Sequence, residues 1–274
     1  MTKDTILEKV KAFPPLDDTV AKVMAICNDD NGSVSELAKV VQADPMTMAN
    51  ILKAANSPLY GFSREIKSVS QAVSIFGMDT VKGFAFSSFL QKKMDLNLMP
   101  YGIKSEDFTT MTEKQNAFAI KWFQKKRAML DTLALTSFLM EMGKIVLANI
   151  VVEEEKGEEF KSYVDKTSTL LQLENLEKQV FGISNEEVTA IIFKEWNFDN
   201  IMCDSIKYLN HPENACEDAR PYAQALQIIK TLIPISGETT DKEIAAATAL
   251  AEKYNLNIEE FHETLALHAE TVPA

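Results

Sequence analysis

Helix start signals punctuate this chain from end to end, and they constrain its fold more than any other feature. Ser33-x-x-Glu36 is a capping box, in which hydroxyl and carboxylate each satisfy a backbone N–H that a first helical turn leaves without a partner. Leu37, Val40 and Val41 follow it as an apolar face. Asp44-Pro45 sets an N-cap before a proline at the first helical position and opens "MTMANILKAAN". Ser57-Pro58 ends that helix, with Gly61 marking the turn beyond. Ser68-x-x-Gln71 opens a helix that stops at Gly77, and Asp79 is expected to cap the next one. Ser184-x-x-Glu187 is a further capping box, with Ile183 and Val188 placed to staple across it. Thr240-x-x-Glu243 and Asn257 open the last two helices. Leu16, Val20, Val23, Met24 and Cys27 share one helical face after the Pro14-Pro15 stop. Alternating strand patterns are absent, and 9 glycines leave little material for hairpins, so the expected fold is all-α.

The helical periodicity lapses at "MDLNLMPYGIKSED", residues 94–107, where proline, glycine and polar residues intervene. A hinge is expected there, between an N-terminal helical lobe (1–95) and a second helical lobe with the C-terminal helices (96–274). The acidic run "EEEKGEEFK" at 153–161 reads as a solvated loop or helix end.

A formal net charge of −12 repels a phosphate backbone, which argues against nucleic-acid binding. The one stretch shaped like a helix-turn-helix, "SVSQAVSIFGMDTVKGFAFSSFL", offers Lys82 and then Phe84, Phe86 and Phe89 where base-reading side chains belong, and that is a core face. The basic cluster "KWFQKKR" at 121–127 reads as cations near a helix C-terminus. Cys27, Cys203 and Cys216 form no C-x-x-C pair and no disulfide framework. The charged N-terminus lacks a signal-peptide core, and "IVLANIVV" is short for a membrane span, so no membrane partner and a cytoplasmic location are expected.

Three histidines offer no assembled metal site. His262 and His268 are six residues apart, on different faces of a helix, and His211 precedes Pro212 as a capping or surface residue. Nucleotide and nucleophile motifs are missing. Gly143-Lys144 lacks the upstream glycine and following hydroxyl of a phosphate loop. One oddity remains. "LTSFLMEMGKIVLANIV", residues 135–151, is an apolar run interrupted by a single acid, Glu141, and the Gly143-Lys144 pair.

Two stretches carry a resemblance. "FPPLDDTVAKVMAI" and "VVQADPMTMANILKAANSPLYGFSREIKSVSQAVSIFGMDTV" present Asp44-Pro45, then Ala55 to Gly61, then Ile66, Ser68, Ala72 and Gly77, in the order of the HDOD signature. From about Phe13 to Pro212 the chain resembles the HDOD family, the HD-related output domains of bacterial signalling proteins. The resemblance implies a two-lobed, all-α fold like that of the HD superfamily. In catalytic relatives a His-Asp pair precedes an apolar residue and Gly-Lys, and here Met140 and Glu141 take those two places. The other family histidines fall at Met111, Asn185, Leu209 and Asn210.

Thioether and alkyl side chains cannot hold the hard or borderline ions that make hydroxide for a phosphohydrolase. The motif therefore reads as a remnant, with no metal and no cofactor expected, and Glu141 is expected to pair with a neighbouring cation, Lys144 at i+3 being the nearest, or with a helix N-terminus. The implied function is a non-catalytic output protein that binds an unidentified signalling protein in trans, or a small ligand. Receiver or kinase domains of the kind often fused in the family are not recognisable here. Two alternatives stand beside it: a metal-dependent phosphohydrolase with an atypical site, and a cyclic-dinucleotide-binding regulator. The working surface is expected on the "NSPLYGF" turn and the lobe boundary, away from the former metal cleft, with Asn56, Ser57, Tyr60, Phe62 and also Lys144 as candidate interaction residues. Its competing reading is structural, with Asn56 capping a helix and Tyr60 packing the lobes together.

Overall fold

The computed structural model describes residues 3–11, 15–29, 31–62, 64–93 and 97–271, and among them every regular element is helical. The proposed lobe boundary at 95/96 lies outside the described residues, as do Phe13 and Pro14. Sixteen α-helices are described: α1 (Lys3–Lys11), α2 (Asp18–Cys27), α3 (Val34–Gln42), α4 (Pro45–Ala55), α5 (Val69–Phe76), α6 (Met78–Lys93), α7 (Ser105–Phe123) and α8 (Arg127–Leu139). Then come α9 (Met142–Glu153), α10 (Gly157–Val164), α11 (Leu170–Phe181), α12 (Asn185–Glu195), α13 (Asn200–Lys207), α14 (Arg220–Leu232), α15 (Asp241–Lys253) and α16 (Ile258–Thr271).

The predicted caps act as caps. Ser33 and Ser184 form both halves of their capping boxes, and Asp44 accepts from the backbone N–H groups of Met46 (3.1 Å) and Thr47 (3.0 Å). Ser68 accepts from Gln71 N–H at 3.1 Å, and Asn257 from Glu260 N–H at 3.1 Å. Asp79 corrects the expectation made for it. The helix begins at Met78, so Asp79 lies inside the first turn, paired with buried Lys82 at 2.6 Å. An acid in a first turn and an acid at a cap serve the same exposed N–H groups, and sequence alone does not separate them.

One apolar core runs from Ile6 in α1 to Phe261 in α16. Helices α8 and α9 pass through its middle, flanked by α6 and α7 on α8 and by α12 on α9, while α14 packs against α8 and α15. Phe86 and Phe89 of α6 lie 5.4 and 5.9 Å from Trp196 at the end of α12. Contrary to the expectation that no segment is long enough to span a membrane, the stretch Arg127–Glu153 is, by length and composition, apolar enough to cross one. Its apolar window is 89% buried inside the fold, as befits the central helix of a core.

Candidate functional site

The odd acid sits where the central helix breaks. Met140 and Glu141 separate α8 from α9, and the first turn of α9 is left with backbone N–H groups to satisfy. The N-terminal turn of α12 supplies the acceptors. Gly143 N–H donates to Thr189 Oγ1 (2.9 Å), and Lys144 N–H donates to Asn185 Oδ1 (3.0 Å). The two backbones touch so closely that a Cβ at Gly143 would stand 2.3 Å from the Asn185 carbonyl oxygen, so only glycine fits. Asn185 faces back as a donor, its Nδ2 within reach of Met140 O (3.1 Å), Glu186 Oε1 (3.2 Å) and Glu141 Oε2 (3.3 Å).

Around this contact lies a buried cluster of charges. Glu141 Oε2 accepts from Lys144 Nζ (2.5 Å) and from Lys230 Nζ (3.1 Å), and Lys230 also reaches Glu186 Oε1 (2.7 Å). None of these side chains is more than 4% exposed. Glu177 completes the group, accepting from Tyr101 Oη–H (2.9 Å) and Asn185 N–H (2.7 Å). Lys144 Nζ also lies 5.7 Å from the centre of the Tyr101 ring.

Burial opposes ionisation of Glu141, but Lys144 and Lys230 outweigh it and hold the carboxyl below its usual range. Against the same burial, Lys230 and then Lys144 hold Glu186 well below that range. Burial likewise works against the Lys230 ammonium, and Glu141 and Glu186 overcome it, raising its pKa. Glu177 goes the other way. Burial pushes it up to about 7, with Lys144 opposing and Glu186 adding to the shift.

The structure thus brings Met140, Glu141, Lys144 and Asn185 together. Met111 and Leu209 are fully buried apolar side chains with no part in the cluster's hydrogen bonds, and Met111 packs beside Gly237. Asn210 is held elsewhere, its carbonyl accepting from Gln227 Nε2 at 2.9 Å. Sequence reasoning missed Tyr101, Glu177, Glu186, Thr189 and Lys230. Lys230 carried one signal: it is a lysine set among Ile228, Ile229, Leu232 and Ile233, all wholly buried.

These residues do not fit a metal centre of the hydrolytic type. The carboxylate that would bind an ion is committed to two ammonium groups, and Met140 presents an alkyl thioether. Among the described residues no three His, Cys, Asp or Glu side chains are set to hold a metal ion. His211 lies at the surface, 3.2 Å from Glu174, while His268 is buried against Phe118 and His262 is exposed.

The NSPLYGF turn is knitted inward. Asn56 Nδ2 donates to Leu52 O and Ile66 O (both 2.8 Å), and its Oδ1 accepts from Ile66 N–H (2.7 Å), which closes the loop. Tyr60 is buried, its hydroxyl donating to Asn116 Oδ1 of α7 at 2.7 Å and its ring edge-on to Phe76 and Phe84. Gly61 takes the left-handed conformation (φ 70°) that the turn requires. Ser57 is half-buried, and Phe62 reaches solvent, 49% exposed. Lys144, expected among the interaction residues, is 1% exposed and meets only the interior, because an ammonium beside Glu141 takes the place of a surface contact.

The family model described as HDOD domain matches residues 13–212. The fold is similar to that of a presumed phosphohydrolase from Shewanella amazonensis SB2B (TM-score 0.75, 18% identity, covering 97% of this chain and 95% of that one). A presumed signal transduction protein from Marinobacter aquaeolei VT8 aligns with TM-score 0.69 at 21% identity, over 97% of this chain and 59% of its own. A virulence factor from Campylobacter jejuni subsp. jejuni aligns with TM-score 0.60 at 23% identity, over 98% and 100%. No curated protein matches the sequence significantly. Lys230 lies beyond the matched segment, so the second ammonium of the cluster comes from outside the family region.

Proposed function

The chain belongs to the HDOD family, and on that premise we propose that it is a non-catalytic signal-transduction output protein that works in the cytoplasm by binding a partner protein or a small ligand. The observation that carries this reading is the pair of ammonium groups, Lys144 and Lys230, bonded to the one acid that remains of the degenerate metal motif. They supply inside the fold the positive charge that a hydrolase of this lineage takes from metal ions, and they generate no hydroxide. The fold shared with a presumed signal transduction protein supports the signalling assignment. Of the NSPLYGF turn, Asn56, Pro58 and Phe62 are exposed, and Phe62 is the exposed aromatic among them, resting edge-on against Phe76 at 5.1 Å.

The second reading, a phosphohydrolase with an atypical site, has one observation in its favour. Glu141 Oε1 and Glu186 Oε2 are buried without a hydrogen-bond partner, and such oxygens suit a cation. Incubation with cyclic dinucleotides and generic phosphodiesters, with Mg2+ or Mn2+ present, separates the two. The non-catalytic reading expects intact substrates. Turnover that co-purifies with the protein and disappears in Glu141→Ala would establish the enzyme instead.

A further inference from the structure

Three carboxyl groups and two ammonium groups share the buried cluster, so one charge must be balanced within it. Glu141 touches both ammonium groups and Glu186 touches one, at 2.5 to 3.1 Å. Glu177 touches neither. Its oxygens accept only from neutral donors, the Tyr101 hydroxyl and the Asn185 backbone N–H. None of these side chains is more than 4% exposed, and an unbalanced full charge so far from water is strongly disfavoured. A proton on the carboxyl that lacks an ammonium neighbour restores neutrality.

We propose that the cluster is a proton-binding site, that Glu177 holds the proton, and that the proton governs the join between the Met99–Tyr101 turn and α11. The proposal rests on the metal-free reading of the cluster given above. The proton belongs on Oε1, because Oε2 must remain bare to accept the Asn185 N–H; a protonated Oε1 donates to the Tyr101 oxygen, whereas the ionised carboxylate accepts from the Tyr101 hydroxyl. The groups acting on Glu177 are Lys144 from the start of α9, Glu186 from α12, Lys230 from α14 and Tyr101 from that turn, with Glu141, just ahead of α9, acting on Tyr101. One turn back along α11, Glu174 is engaged by Lys178 (2.5 Å) and His211 (3.2 Å).

With its pKa at about 7, the folded carboxyl keeps a proton that the unfolded chain gives up at the ordinary carboxyl value of 4.5. Between those values the folded state binds more protons, so the stability owed to Glu177 falls as pH rises through the window and is level above it. Ionisation puts a third negative charge on the cluster. The Met99–Tyr101 turn, whose Met99 is already 49% exposed, is the part with water closest at hand and is expected to loosen.

The test is a carbon-13 NMR titration of glutamate carboxyls, with Glu177→Gln as the assignment control, since glutamine copies the shape and donors of the protonated acid. The expected result is one carboxyl with a midpoint near 7 that is missing from the variant. Relative to Glu177→Gln, the unfolding equilibrium constant of the natural protein should rise on the order of 100-fold between about pH 4.5 and 8. Should the variant fail to fold, Tyr101→Phe removes the neighbour that shares the proton and should shift the same midpoint. A full set of midpoints in the ordinary carboxylate range overturns the proton site alone. Displacement of the proton by millimolar Zn2+ or Mg2+ would overturn the metal-free reading along with it.

Discussion

Replacing Lys230 with methionine tests the cluster at its hinge. Methionine keeps nearly the same length and volume, so it opens no cavity, and the change isolates the ammonium. Lys230 is 2% exposed and serves two carboxylates, at 2.7 and 3.1 Å. Removing one member of a buried ion pair costs about 3–5 kcal/mol, because the partner stays behind as an uncompensated charge. With two carboxylates affected, the upper part of that range applies, roughly 4–5 kcal/mol. In a chain of this size that corresponds to a fall in Tm of roughly 8–15 °C. Urea unfolding at neutral pH, checked by calorimetry, gives the value directly. The double variant Lys230→Met with Glu186→Gln should recover at least half of the loss, since a buried pair removed together leaves one charge fewer stranded. A loss below about 1 kcal/mol for Lys230→Met, the value of an exposed pair, would refute the claim that these charges are buried and interdependent.

Two further substitutions probe neighbouring contacts. Gly143→Ala should cost about 1–3 kcal/mol in urea unfolding, because its Cβ would meet the Asn185 carbonyl at 2.3 Å and push α9 from α12; a neutral effect would mean the two backbones separate freely. Tyr60→Phe should cost about 1–3 kcal/mol by leaving the Asn116 Oδ1 acceptor unsatisfied, without affecting capture of partners, whereas lost capture at unchanged stability would place Tyr60 in a binding surface.

Local chemistry was readable in the sequence, and long-range pairing was not. The caps at Ser33, Asp44, Ser68, Ser184 and Asn257 depend on residues two or three positions apart, so each announced its helix. Glu141 and Lys144 are a turn apart and paired as expected. Lys230 is 89 residues from Glu141 and Glu186 is 44 from Lys230, and no short-range pattern links them. The HDOD resemblance pointed to Asn185 as a lost histidine but gave no account of what it now does. In the fold its amide joins α9 to α12 and faces the carboxylates, a role that follows from the backbone approach at Gly143. Lys144 misled for a related reason. A lysine in a sequence suggests a surface, and only its neighbours in space show that it is enclosed.

On the proposed reading, the Lys144 and Lys230 ammonium groups stand where a hydrolase would hold metal ions. Elemental analysis of protein purified without chelators tests it most directly, supported by calorimetric titration with Mn2+ and Zn2+. Well under one equivalent of iron, manganese or zinc per chain is expected, with no saturable heat of binding. About one equivalent retained within the folded protein, and released by Glu141→Ala, would contradict it.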